Sequence, residues 1–390
     1  MTDRDFATRQ LHGGNKPYER GALVSPIYNS VTYTYDTPSS TTGKHRYARM
    51  SEPTRDRLDA LIADLENGTY AKTFSSGMAA INTLFTSVLS AGDNVIAGRN
   101  LYAKSHTLLT RIFAKFDVEV TFVDTTDIAA VSDAIEPETS LIYLESPTNP
   151  LLQISDIASV AEIAAESDAD PVLAVDNTFA SPYLQRPLDL GADVVVESLT
   201  KYVSGHSDVM AGALVTNDAE LDETFEYVQY NQGATPSPFS CFLLLRGAKT
   251  LACRMENHCE NARTIAAFLD GHRDVEEVYY PGLEEHPGHD IAVKQMDDFG
   301  GMVSFELDAT VTETSAVISN TSIFQLAESL GGVESLVEQP AVMTHQDLTS
   351  EEMASIGLSE TLIRVSVGIE DADDLKRDLE TAIESGLESG

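Results

Sequence analysis

Val194-Val195-Val196-Glu197-Ser198-Leu199-Thr200-Lys201 joins an apolar strand to two hydroxyl residues and a lysine. Only 25 of the 390 residues are Lys or Arg, so a lysine at the mouth of a buried strand stands apart from ordinary surface charge. A lysine amine in a water-poor site sheds its proton and then serves as nucleophile or base. Ser198 and Thr200 bring hydroxyls that hydrogen-bond a phosphate. An amine for an aldehyde and hydroxyls for a phosphate suit pyridoxal 5'-phosphate (PLP). The same stretch also reads as a strand end with a solvated lysine, and the rest of the chain decides between the two.

Around it, short apolar strands alternate with helical segments. Strands are predicted over 94–97, 119–123, 141–144, 172–175, 194–196 and 212–215. The stripe Leu58, Leu61, Ile62, Leu65 predicts an amphipathic helix over 55–66, and Ser75-Ser76-Gly77 opens a second over 78–89. This rhythm predicts an α/β fold with a mainly parallel sheet covered on both faces. Ligands in such sheets sit beyond the carboxyl ends of the strands. Ser146-Pro147-Thr148-Asn149, Asp176 and Ser198 with Lys201 all fall there. After about residue 243 a long helix over 243–269 is predicted, then strands over 275–280, 302–307 and 362–367. A last helix carries Leu375, Leu379 and Ile383. The division expected is an N-terminal arm at 1–50, a large domain at 51–243 and a smaller α+β domain at 244–390.

Sixty-two acidic residues give a net charge of −37. Such a surface repels nucleic acid and anionic membrane. The acids are dispersed, as in Asp371-Ala372-Asp373-Asp374, which keeps a chain hydrated where salt screens its self-repulsion. A salt-adapted cytoplasm is expected. Three cysteines (Cys241, Cys253 and Cys259) make no disulfide framework and match no common zinc spacing. Met1-Thr2-Asp3-Arg4-Asp5 lacks an apolar signal region, and no run is long enough to span a membrane. No metal site is expected; His286 and His289 fall in a Pro/Gly loop.

Four further positions bear on chemistry. Asp176 ends the run Val172-Leu173-Ala174-Val175, and a carboxylate there needs a partner, either an arginine, a helix N-terminus or the pyridinium nitrogen of PLP. Ser75-Ser76-Gly77-Met78 offers either a plain helix cap or an anion site. Tyr102 follows a strand and can stack on a cofactor ring. In Leu362-Ile363-Arg364-Val365-Ser366-Val367, alternation sends Ile363, Val365 and Val367 to the core and Arg364 to a cleft, where a guanidinium grips a carboxylate.

These pieces occur together and in order, and the chain resembles the transsulfuration enzymes of Cys/Met metabolism, the cystathionine γ-lyases and γ-synthases. The likeness rests on His12-Gly13-Gly14, Pro26-Ile27-Tyr28, Tyr47-Ala48-Arg49, Ser75 to Met78, Ser146 to Pro150, Val175-Asp176-Asn177-Thr178, Ser198 to Lys201 and Gly205-His206-Ser207-Asp208. It continues through Ser329 to Leu336, Pro340 to His345 and Ile363 to Gly368. It implies the PLP-dependent aspartate-aminotransferase-like fold (fold type I) and PLP as cofactor. It implies that Lys201 attaches the cofactor and that Asp176 pairs with its ring nitrogen. Gly77, Met78, Ser198 and Thr200 would hold the phosphate, with Thr178 also in contact. Tyr102 would stack on the ring and act in catalysis, with Asn149 near its phenolic oxygen. Ser329 and Arg364 would bind the substrate α-carboxylate. Tyr47 and Arg49 would reach the phosphate of a neighbouring subunit, which implies a homodimer with shared sites, paired into a tetramer.

The sequence departs from the family pattern at Glu52, at Lys104 and at Thr107, positions expected to line the distal substrate pocket. Glu334 is expected near the distal ammonium of cystathionine. The reaction implied is γ-elimination of cystathionine to cysteine, 2-oxobutanoate and ammonia. The alternatives are γ-replacement by a cystathionine γ-synthase or an O-acylhomoserine sulfhydrylase, a methionine γ-lyase or a β-lyase, or an idle PLP-fold binding protein.

Overall fold

The structure, a computed structural model, describes residues 4–13, 21–41, 43–344, 353 and 356–388. Met1, Thr2, Asp3, Gly14 and His345 lie outside the described residues. The strands in chain order are β1 (Tyr35–Thr37), β2 (Ser40–Thr41), β3 (Tyr70–Phe74), β4 (Asn94–Gly98), β5 (Glu119–Val123), β6 (Thr139–Glu145) and β7 (Val172–Asp176). They continue as β8 (Val194–Glu197), β9 (Gly212–Thr216), β10 (Val275–Tyr279), β11 (Met302–Leu307), β12 (Gln325–Leu326), β13 (Leu336–Glu338) and β14 (Leu362–Ser366).

Seven strands form one sheet in the order β3-β9-β8-β7-β6-β4-β5. Strands β4 to β8 are mutually parallel, and β9 runs against both of its neighbours, β8 and β3. The central strands are mostly apolar up to their last residues because both faces are covered. In β8, Val194 and Val196 pack with Ile81, Leu84 and Phe85 on one face. Val195 packs on the other with Leu58, Leu244 and Met255. Strand ends therefore converge at one rim, where β6 stops at Glu145, β7 at Asp176 and β8 at Glu197.

A second sheet, β10-β11-β14-β13-β12, belongs to the C-terminal part. Its core joins Val303, Phe305, Ile363, Val365 and Val367 to Leu375, Leu379 and Ile383 of the last helix, Ala372–Glu388. The alternation expected in β14 holds, with Arg364 and Ser366 pointing away from that core.

Two differences from expectation have physical causes. The predicted helix over 243–269 is broken into Pro238–Gly247, a 3-10 turn at Ala248–Thr250 and Leu251–Asp270. The break falls where Gly247 passes against the Ser204 backbone, too close for a Cβ. The N-terminal region is not wholly extended either. Phe6–His12 is a helix, fixed by Phe6 edge-on to Tyr183 at 5.2 Å and by Gln10, whose side-chain oxygen accepts from the Ala252 amide at 2.9 Å. Beyond it, Leu23, Val24 and Val31 stay exposed. Among the described residues no helix is long and apolar enough to cross a membrane.

Candidate active site

The rim of the large sheet opens into a cavity of about 260 Å³. Lys201, Asp176, Thr178, Ser198, Thr200, Gly77, Met78, Tyr102, Asn149, Ser329 and Arg364 all line it. Residues separated by up to 287 positions in sequence (364 − 77) are thus brought to one cleft by strand ends and loops.

Lys201 follows β8 in a tight turn that begins with its amide donating to the Ser198 carbonyl at 3.1 Å. Its Nζ donates to Ser329 Oγ at 2.6 Å. Burial, and then Arg364, draw this amine down from its ordinary value to about 8. A neutral fraction near neutral pH is what a nucleophile or base needs. Ser329 sits at φ +90°, a region sparsely occupied by residues with a Cβ, so the surrounding structure must hold it there.

Asp176 is 8% exposed. Its carboxylate accepts from the Thr178 amide at 3.1 Å and from the Tyr143 hydroxyl at 3.2 Å. Burial pushes its pKa up, and Thr178 and Tyr143 pull against that. No lysine or arginine among the described residues opposes its charge. A buried carboxylate that faces a cavity without a cationic partner fits a ligand that brings a protonated ring nitrogen.

Ser76 caps the helix Gly77–Val88 through its side chain, which leaves the first helical amides, at Gly77 and Met78, without intrahelical acceptors. A Cβ on Gly77 would press on Ser198, and one on Gly212 would meet the Gly77 backbone at 2.7 Å. The helix start and Ser198 are therefore nearly in contact, and their donors form an anion cradle. Thr200 also lines the cleft, but its hydroxyl donates to the Ala211 carbonyl at 3.1 Å and accepts from the Ala211 amide at 3.0 Å. As placed, it pins the lysine turn to the start of β9 instead of offering a free donor. Amine, a carboxylate without a cationic partner and anion cradle together match the aldehyde, ring nitrogen and phosphate of PLP, so the residues present fit that cofactor.

Tyr102 is half-buried at the cleft wall, and its amide donates to Glu145 Oε2 at 2.7 Å. Burial raises its phenol pKa. Arg364 is 3% exposed and donates to Asn149 Oδ1 and to the Ser329 carbonyl, both at 2.8 Å. The structure also gives this arginine a buried ion pair, with Glu338 Oε1 3.1 Å from Nη2.

Tyr47, Arg49, Glu52, Lys104, Thr107 and Glu334 are not among the residues that line this cleft, Tyr47 and Arg49 having been expected at a neighbouring subunit's site instead. Tyr47 and Arg49 lie outside its lining, where Arg49 stacks 4.7 Å from the centre of the Tyr230 ring. Glu334 is exposed and does not line this chain's cavity. The carboxylate that does line the outer cleft is Glu328, next to Ser329. Its charge is felt at both Tyr102 and Lys201. Glu52 is likewise removed from the lining: it caps the helix Pro53–Leu65, accepting from the Thr54 and Arg55 amides at 2.9 and 2.5 Å. The sequence reading missed Glu328, Glu145 and Glu338. Glu328 had a signal in adjacency to Ser329; Glu338 had none without the pairing of β13 and β14.

Comparison with known proteins agrees with this chemistry. A family described as Cys/Met metabolism PLP-dependent enzyme matches residues 7–384. The chain is 48% identical over 378 residues to the cystathionine gamma-synthase of Mycobacterium tuberculosis, covering 97% of this chain and 96% of that protein. It is 45% identical over 380 residues to the cystathionine gamma-lyase of Dictyostelium discoideum, covering 97% of each. Among solved structures, the cystathionine gamma synthase of Xanthomonas oryzae pv. oryzae in complex with cystathionine superposes with a TM-score of 0.96 at 41% identity over the whole of both chains.

Proposed function

Because the chain belongs to the Cys/Met metabolism PLP-dependent enzymes, and so is a PLP-dependent transsulfuration enzyme of fold type I, we propose that its reaction is γ-elimination of cystathionine to cysteine, 2-oxobutanoate and ammonia. The observation that carries this reading is the charge layout of the cleft. Arg364 with Ser329 offers a site for an α-carboxylate, and Glu328 puts a carboxylate at the outer wall. Cystathionine has an α-carboxylate at one end and a distal ammonium at the other, which complements that pattern.

Lys201 would attach PLP, Asp176 would face its ring nitrogen, Gly77, Met78 and Ser198 would hold its phosphate, and Tyr102 would cover its ring. Thr178 buttresses Asp176, and Thr200 supports the lysine turn. When bound, PLP supplies an electron sink for negative charge developing at the substrate Cα. Arg364 and Ser329 then fix the α-carboxylate so that the Cα proton faces Lys201. The neutral Nζ removes that proton and carries it to later protonation steps. Asn149 holds Arg364 in place from the cofactor side. Glu328 orients the distal ammonium, which keeps the leaving sulfur in register.

A γ-replacement reading is favoured by one observation, the 48% identity to a γ-synthase. Product analysis separates the two. The enzyme is supplied with cystathionine alone, then with an O-acylhomoserine plus cysteine or sulfide, in high salt. Release of 2-oxobutanoate and cysteine from cystathionine alone is the expected result. Turnover only in the second mixture would replace elimination by replacement.

The proposal extends to the assembly. Residues 1–50 serve as an arm to a neighbouring subunit, residues 51–243 as the cofactor domain and 244–390 as the small domain. Exposed Leu23, Val24 and Val31 on the arm support a covered interface, and Tyr47 and Arg49 lying outside their own chain's cleft support a shared site. A tetramer of paired dimers in a salt-rich cytoplasm is the state we assign.

A further inference from the structure

Arg364 is backed by a carboxylate. Glu338 on β13 stands opposite it in register on β14, and the ladder holds Oε1 3.1 Å from Nη2. The side chains are 1% and 4% exposed. Arg364 lines the cleft and Glu338 does not, so the carboxylate sits behind the guanidinium. Thr344 donates to Glu338 Oε1 at 3.2 Å. Even so, Glu338 Oε2 and Arg364 Nε are buried without hydrogen-bond partners. A buried pair left short of hydrogen bonds on both sides stabilises a fold little, because desolvation offsets its attraction. Its placement behind the arginine proposed to bind substrate points to a different role.

We propose that Glu338 is the counterion that sets how strongly Arg364 holds a substrate carboxylate. The inference rests on the reading of Arg364 as the α-carboxylate site. A carboxylate arriving from the cleft shares the guanidinium with Glu338 and is repelled by it. The arginine keeps its direction through Asn149 and the Ser329 carbonyl, while Glu338 limits its grip. Substrate therefore binds in the correct pose without being held too long, and the 2-oxo acid product, which keeps the carboxylate, is released.

The test uses the holoenzyme and butanoate, a monocarboxylate without the amine. Glu338→Gln keeps an acceptor oxygen for Nη2 and removes the charge. Butanoate is expected to bind it on the order of tenfold tighter than wild type, with KM for cystathionine lowered and kcat not raised. Damage to the fold does not tighten binding, so this readout separates the counterion role from a structural one. Glu338→Asp, which withdraws the charge by one methylene, is expected to shift in the same direction by less, and it serves if the glutamine variant fails to fold. Unchanged or weaker butanoate binding in these variants, alongside loss of binding in Arg364→Met, would overturn the Glu338 proposal and leave the Arg364 reading intact. Full butanoate binding in Arg364→Met would overturn that reading and the proposal with it.

Discussion

Lys201 sits where burial, and then the charge of Arg364, disfavour an ammonium, and its amine titrates near 8 instead of its ordinary 10.5. The rate at which the apoprotein takes up PLP should follow the neutral amine. It is expected to climb with pH through about 8 and level off above it, read by growth of visible absorbance. Lys201→Ala should show neither this absorbance nor turnover at any pH. Uptake that rises only near 10, or turnover in the alanine variant, would contradict the assignment. Lys201, Asp176 and Arg364 were legible in the sequence because each is a charged residue delivered by an apolar strand, and burial of charge needs a reason. Glu145 and Glu338 are equally buried, yet nothing local marked them. Glu145 matters because it pairs with Asp176 across β6 and β7, and Glu338 because it pairs with Arg364.

Strand pairing sets Glu145 opposite Asp176, whereas Glu197 follows Val196, the partner of Asp176 on β8, and so turns to the other face of the sheet, where Glu66 comes from the end of the helix Pro53–Leu65. Glu66 and Glu197 are 0% and 1% exposed and lie close to each other, with Asn177 donating to Glu66 at 3.4 Å and one oxygen of each carboxylate left without a hydrogen-bond partner. Burial lifts Glu66 to about 7 and Glu197 well above the ordinary carboxylate range. Raised carboxyl pKa values mean that the folded state keeps protons the unfolded chain releases. Their stabilising effect is full below about pH 4.5 and is lost as pH rises through 7 and beyond. Glu197→Gln supplies an amide donor to Glu66 and removes one titration. Its thermal midpoint should therefore fall less than wild type between pH 5 and pH 9, and parallel curves would sink the idea. At this scale the sequence predicted β4 to β9 closely, because runs buried on both faces are simply apolar. It missed β1, β2, β3, β12 and β13, which are short or only partly covered. It also ran one helix through Gly247, because the Ser204 contact that breaks it is a tertiary event.

Across the whole molecule, a charge of −37 is spread over a chain for which we propose a tetramer of like copies. Like charges on adjoining subunits repel over a Debye length, about 10 Å at 0.1 M salt and about 3 Å at 1 M. Sedimentation and thermal melting in a KCl series are expected to show assembled, more stable protein at molar salt, and dissociation with a lower midpoint at low salt. Salt-independent assembly and melting would remove the salt-adapted reading. The dispersed acids were plain in composition, whereas the exposed apolar residues Leu23, Val24 and Val31 became visible only when the fold failed to bury them. The sequence by itself determined the α/β class, the cofactor chemistry and the strand ends that present Lys201 and Asp176, since hydrophobic periodicity and buried charge are local signals. Only the tertiary structure decided which carboxylates meet the site. It added Glu328 to the cavity lining, made Glu52 a helix cap and set Glu338 behind Arg364. Those outcomes depend on loop paths and strand pairing between segments distant in the chain, and no local pattern encodes them.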